Sequence, residues 1–346
     1  MGSRIEEHLP PFMHVPRDEE DPDYVVSFPP NQLDAARDFF EQYGFVVVRD
    51  VLTTEECETT TSEMWDVLER STPGLDRNNS GTWGKWKSKA FGMCSREPSM
   101  TPQILQNRQN PNVYNTFRAL SGEEDLLVSH DRWAIMRPTQ VEEAWSTMDN
   151  LHLDVNPWMY ESDDRRAWDD IGGGGYADSH DFIKENNVVR SSFGRNMQAV
   201  LNLRDNKEED GGTQIVPGFH KHFSRWVASI GPASADAEAR PSYRFPRNSR
   251  INQLGVRITM RAGSMVVWDQ RCAHGSKGNN SDKLRIAQFL KMFSARTLTE
   301  KRLQDRAIAV RRLVQRSGVH VTEIGKQVFG FRHLAAPVSD FVEIKR

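Results

Sequence analysis

Residues 264–293, SMVVWDQRCAHGSKGNNSDKLRIAQFLKMF, decide how this chain folds. Two apolar runs, SMVVWD and LRIAQFLKMF, flank a stretch of Gly, Asn and Ser that punctuates rather than continues structure, so the segment reads as strands separated by turns. Outward from it the same pattern recurs as far back as Asp125, in LLVSHDRWAIMRP, NLHLDV, MQAVLNLRD, GTQIVPG and VRITM. Many short strands with Gly and Asn turns imply a sandwich or a barrel, in which facing strands bring distant sequence together.

Before Asp125 the periodicity is helical. In FPPNQLDAARDFFEQYG, Asn31 is a candidate cap, Leu33, Ala36, Phe40 and Tyr43 form one face, and Gly44 ends the helix. FVVVRDV is a short strand, and TTEECETTTSEMWDVLER opens on a Thr with Glu three positions later, a capping-box pattern. Ser71 to Gln109 shows little periodicity and reads as loop, and VYNTFRAL as a short helix. Residues 1–30 read as an extended arm whose prolines and acids resist packing. After the strands, ARTLTEKRLQDRAIAVRRLVQRSG is a basic helix with a solvated face.

A hydrophobic fraction of 37% and a charged fraction of 27% describe a globular chain, and a net charge of -3 gives no electrostatic case for nucleic acid or an anionic membrane. No stretch is apolar for long enough to span a bilayer. The acidic N-terminus lacks an apolar signal region, the terminal EIKR is not a peroxisomal tripeptide, and three scattered cysteines make no disulfide framework, so a cytoplasmic location is expected.

The chemistry concentrates in DNLHLDVNPW and CAHGSKGN. Strand alternation sends His152 and Asp154 to one face, and His274 supplies a second imidazole. Two imidazoles and one carboxylate are the ligand set of a non-haem Fe(II) oxygenase. Arg285, eleven residues after His274, lies between Leu284 and Ile286 on a buried-looking strand and needs a buried anion. Its guanidinium fork suits the far carboxylate of a dicarboxylate co-substrate.

FFEQYGFVVVRDVLTTEEC, HLD, EDGGTQIVPGFHKHF and GSMVVWDQRCAHGSKGNNSDKLRIAQF together resemble the phytanoyl-CoA dioxygenase-like family of Fe(II)/2-oxoglutarate dioxygenases, in order and over most of Gln32 to Phe293. The resemblance implies a mainly β fold with a double-stranded β-helix (jelly-roll, cupin-like) core flanked by α-helices. It implies iron on His152, Asp154 and His274, 2-oxoglutarate on Arg285, Ser276 and Trp158, O2 as oxidant, and ascorbate as a support of activity. Two departures stand out. Ala287 replaces the serine of the R-x-S pattern, so another polar group must complete the carboxylate pocket. Leu153 stands where some relatives carry a polar residue between the ligands, which bears on substrate. A carboxylate at 154 favours hydroxylation or demethylation over halogenation.

Gln198 and Asn202 alternate with apolar Ala199, Leu201 and Leu203, and would touch substrate if their face is the interior one. Arg132 and Arg137 are candidates for an anionic substrate. His220 and His222 read as surface residues, and Gly211 and Gly212 as a turn rather than a phosphate cradle, with no P-loop lysine following. The expected organisation is an arm (1–30) and one dioxygenase domain (31–346). That domain comprises a helical part (31–124), a jelly-roll core (125–293) interrupted by a glycine-rich insertion (160–192) with the character of a lid, and a C-terminal helical region (294–346). The expected activity is oxidation of a small organic metabolite with release of succinate and CO2. A protein hydroxylase of the same chemistry and a catalytically silent binding protein are the alternatives.

Overall fold

The computed structural model describes residues 8–87, 92–94, 100–147, 150–161, 196–231, 234, 240 and 242–334. The strands are β1 (Phe45–Val48), β2 (Leu126–Val128), β3 (Trp133–Met136), β4 (His152–Leu153), β5 (Met197–Asn202), β6 (Gly212–Ile215), β7 (Tyr243–Arg244), β8 (Val256–Arg257), β9 (Met265–Asp269), β10 (His274–Lys277) and β11 (Arg285–Ser294). They build two antiparallel sheets. The larger runs β1-β9-β5-β11-β2 with β3 also on β11, and the smaller runs β7-β4-β10-β6-β8. The run that read as one strand, LLVSHDRWAIMRP, is two: β2 and β3 share one edge of the ten-residue β11, and β5 takes the other. With helices packed outside, this is the expected jelly-roll architecture.

Each sheet has its own apolar layer. On the larger sheet, Val46, Val267 and Leu201 belong to one buried cluster with Ala36 and Phe40 of α1 (Leu33–Tyr43), Met64 and Trp65 of α2 (Thr54–Ser71), Phe117 of α4 (Pro111–Ser121) and Val310 of α7 (Glu300–Ser317). On the smaller sheet, Leu153 and Ile251 pack with Phe219, Phe223 and Trp226 of α6 (Phe219–Ile230). A cavity with polar and apolar walls lies between the sheets, and it carries the candidate site.

Local signals hold at most helix ends. Thr53 and Glu56 form the capping box of α2, and Gly44 ends α1 at φ 77°. Asn31 is not the α1 cap; Gln32 occupies that position without a side-chain bond. The stretch read as loop contains α3 (Pro102–Arg108), started by Pro102 and held by buried Ile104 and Leu105, a tertiary contact outweighing weak periodicity. The arm packs rather than standing free. Val25 is 1% exposed and donates to the Thr259 backbone and hydroxyl oxygens, while Asp18 and Asp23 pair with Arg261 and Lys207. Its acids meet basic partners, so the composition that predicted repulsion gives docking instead. The insertion expected to be a lid lies, from residue 162 on, outside the described residues.

Candidate metal centre and cavity

β4 and β10 place His152 and His274 opposite each other in the antiparallel register, with ring centroids 4.6 Å apart. Asp154 follows in the bend after β4, and one donor atom from each of the three residues lies within 4.8 Å of the others. Leu153, between them, points the other way and is fully buried in the apolar layer of the smaller sheet. It anchors the strand, and its apolar character answers to packing rather than to substrate.

Burial alone would raise the Asp154 pKa, but the hydrogen bond and charge of His152, with His274 and Lys291, outweigh it and hold the carboxyl well below its ordinary value. Burial pushes the His274 pKa down. The site thus offers one anion and a neutral imidazole, the protonation states that a divalent ion requires. His274 Nδ1 lies 3.0 Å from the Cys272 carbonyl and donates to it, which frees Nε2 for a metal. The Asn150 side-chain amide lies 3.2 Å from His152 Nδ1, and its Oδ1 accepts the Ser276 N–H at 2.7 Å, tying β4 to β10.

Gly275 is glycine because the chains approach too closely for anything else. A Cβ there would sit 1.7 Å from the Asn150 carbonyl oxygen. Gly275→Ala is expected to force β4 from β10, cost about 1–3 kcal/mol of stability through overpacking, and weaken metal uptake at least tenfold. Thermal unfolding and metal titration of the variant check this; unchanged values in both would show that the strands can separate without cost to the site.

A cavity of about 270 Å³ opens beside the triad. Its walls include His152, Asp154 and His274, with Arg132, Gln198, Thr213, Arg244, Ser276, Phe289 and Lys291 among the others. Arg285 does not line it but adjoins it through Thr213, whose Oγ1 is 3.4 Å from Arg285 Nη2. Arg285 is 2% exposed, its Nε has no partner, and burial pushes its pKa down to about 10. Among the described residues no carboxylate pairs with it, so within them it is a buried cation without a counter-ion. Beside Arg285, β6 presents the Thr213 hydroxyl, whereas Ala287 of β11 has none.

Arg257 escaped the sequence reading. It is 1% exposed, donates to the Thr213 and Ile258 carbonyl oxygens, and has its pKa lowered to about 9 by burial and the Arg285 charge. The same signal that singled out Arg285, an arginine flanked by apolar residues in a strand, was present in VRITM. Gly212 leaves room for both: a Cβ would meet Arg285 Nε at 2.8 Å and Arg257 Nη2 at 3.3 Å, and its φ of 103° suits glycine. Lys291, with Nζ 4.0 Å from Asp154 Oδ2, was missed as well.

Three expected site residues stand elsewhere. Trp158 donates from Nε1 to the Gly231 carbonyl and packs edge-on against Tyr243, because Asn156 caps the short helix α5 (Pro157–Glu161) and turns the ring onto the end of α6. Asn202 shares the face of Gln198 but spends its amide on the Arg204, Met260 and Arg261 carbonyls. Arg137 lies between the Trp86 and Trp145 rings, 5.0 and 5.1 Å from their centroids. Arg132 does line the cavity, paired with Asp131 at 3.1 Å. His220 is buried, with Nε2 3.2 Å from the Glu41 carbonyl oxygen, rather than a surface residue.

Two facing antiparallel sheets with a His-Asp-His cluster between them define a metal-dependent oxygenase of the double-stranded β-helix class. Comparison with known proteins specifies the family. The model of the phytanoyl-CoA dioxygenase (PhyH) family matches residues 173–287. A Dictyostelium discoideum protein assigned to the phytanoyl-CoA dioxygenases is 38% identical over 286 residues, 81% of each chain. A Salmonella typhimurium LT2 protein classed as an oxidoreductase aligns with TM-score 0.57 and 14% identity over 88% of this chain and 85% of its own. The α-ketoglutarate-dependent non-haem epimerase SnoN of nogalamycin biosynthesis aligns with TM-score 0.50 and 16% identity over 77% and 84%. This chain belongs to the phytanoyl-CoA dioxygenase family, and it is a non-haem iron, 2-oxoglutarate-dependent oxygenase. No helix among the described residues is long and apolar enough to cross a membrane.

Proposed function

We propose that His152, Asp154 and His274 hold ferrous iron, that Arg285 with Thr213 and Ser276 takes the far carboxylate of 2-oxoglutarate, and that the enzyme hydroxylates or oxidatively demethylates a small organic molecule. The observation that carries this reading is the pairing of a two-nitrogen, one-oxygen donor set with a buried guanidinium that no described carboxylate pairs with and that adjoins the same cavity through Thr213. The donor chemistry fits a divalent iron with open positions. When bound, iron and the keto acid together supply the oxidising chemistry, with succinate and carbon dioxide as by-products.

The chain's own residues bind, orient and exclude water. Arg285 neutralises the remote carboxylate in a water-poor recess, and the Thr213 and Ser276 hydroxyls, on residues paired in register across β6 and β10, flank it. Apolar Val200, Phe289 and Leu290 keep part of the wall dry. Some 270 Å³ lies near the small end of ligand sites and favours a small molecule over a polypeptide.

Incubation with Fe(II), ascorbate, 2-oxoglutarate and a metabolite extract, followed by mass spectrometry, is expected to yield succinate and one small molecule that has gained oxygen or lost a methyl group. Absence of succinate in the presence of all components would sink the reading. Oxygen found only on protein would redirect it to a protein hydroxylase.

A further inference from the structure

We propose that Gln198, which the sequence pointed toward substrate, is a positioning residue that makes Asp154 a single-oxygen ligand. The proposal rests on the metal reading above. Gln198 Nε2 donates to Asp154 Oδ2 at 2.7 Å. An ionised carboxylate only accepts, so the amide must turn its NH2 end toward Asp154 and its oxygen away. Oδ1 lies 3.3 Å from His152 Nε2 and Oδ2 3.7 Å from His274 Nε2; with one lone pair of Oδ2 taken by the amide, Oδ1 is the oxygen left fully open to a metal.

Among the described residues, Asp154 otherwise meets through its carboxylate only the two imidazoles, which a metal would engage, and Lys291 at 4.0 Å. It lies in a bend beyond the two-residue β4, where its carboxylate could rotate to present both oxygens. Bidentate binding would consume a coordination position that a keto acid and dioxygen together need. Gln198 is placed to prevent this because β5 is flanked on both sides, by β9 and β11, and is a rigid support. In register it sits between Trp268 and Lys291, making a row of three side chains across the larger sheet. Each member of that row meets the ligands of the other sheet: the Trp268 ring lies 5.0 Å from that of His274, Gln198 holds Asp154, and Lys291 Nζ is 4.0 Å from Asp154 Oδ2.

A second observation makes the role testable apart from folding. Gln198 is 5% exposed, yet its Oε1 is buried without a hydrogen-bond partner. An orphaned buried acceptor is destabilising, so replacing this amide by an apolar side chain of similar length costs the fold little. One end is left unpaired while the other is fixed on the ligand.

The test is anaerobic titration of Gln198→Met, which keeps length and removes the donor, with Fe(II) and with Co(II), whose visible spectrum reports coordination number. Affinity is expected to fall about 10–100-fold, the usual cost of losing an outer partner of a ligand, with a changed Co(II) spectrum and unfolding of the metal-free protein at or above the wild-type temperature. Gln198→Ala gives the same readouts should the methionine variant not fold. A folded variant with wild-type affinity and spectrum overturns this proposal alone. Wild-type protein that takes up neither ion overturns the metal reading and this proposal with it.

Discussion

Asp154→Ala is expected to abolish turnover and to lower metal affinity by more than the 10–100-fold typical of outer partners. The carboxylate is the single anion in the cluster, and His152, His274 and Lys291 all favour its charged form against the opposing effect of burial. Its removal leaves two imidazoles facing a nearby ammonium, a field that repels a divalent ion. Gln198 Nε2 would lose its acceptor in the same step. Calorimetric titration with Fe(II) under nitrogen and succinate release under air measure both effects. Hydroxylation at the wild-type rate by the alanine variant would remove Asp154 from the metal site.

Arg285→Met is expected to separate co-substrate binding from stability. Truncating one partner of a buried, hydrogen-bonded charge pair costs about 2–5 kcal/mol, which at 1.4 kcal/mol per decade is roughly 30- to 4,000-fold in 2-oxoglutarate affinity. The metal-free protein should unfold at the same temperature or higher. The guanidinium is buried beside Arg257 with no described carboxylate, so its removal relieves desolvation and like-charge repulsion. A structural ion-pair arginine would behave oppositely, with unfolding brought forward by several degrees and 2-oxoglutarate affinity unchanged. Fe(II) binding without co-substrate should stay near wild type, because Arg285 is not among the clustered donors.

The His-Asp-His cluster was legible because its information is local and chemical. The H-x-D spacing and a distal His were visible as chemistry, whereas the register that sets His274 against His152, and the bend that carries Asp154 just past β4, belong to the folded sheet. Arg285 was legible from the cost of burying a charge between Leu284 and Ile286, whatever fold surrounds it. The strand-rich character from Asp125 onward was legible from turn residues and apolar runs.

What sequence left open is which row of one sheet meets which row of the other. Periodicity puts Gln198 and Asn202 on one face, but only the packed sheets decide that Gln198 meets Asp154 while Asn202 ties down the chain near Met260. Trp158 stood at a plausible distance from His152, and the turn at Asn156 sent it to another layer. Thr213 sits some seventy residues from Arg285 and meets it only because β6 faces β11 across the interior.

The amino-acid sequence by itself determined the elements and the reactive groups, since backbone propensity, alternation and ligand chemistry act over a few residues. Tertiary structure alone decided the partners of those groups. Hydrogen bonds between side chains on different sheets depend on how two twisted surfaces are set against each other, and packing fixes that arrangement all at once rather than residue by residue.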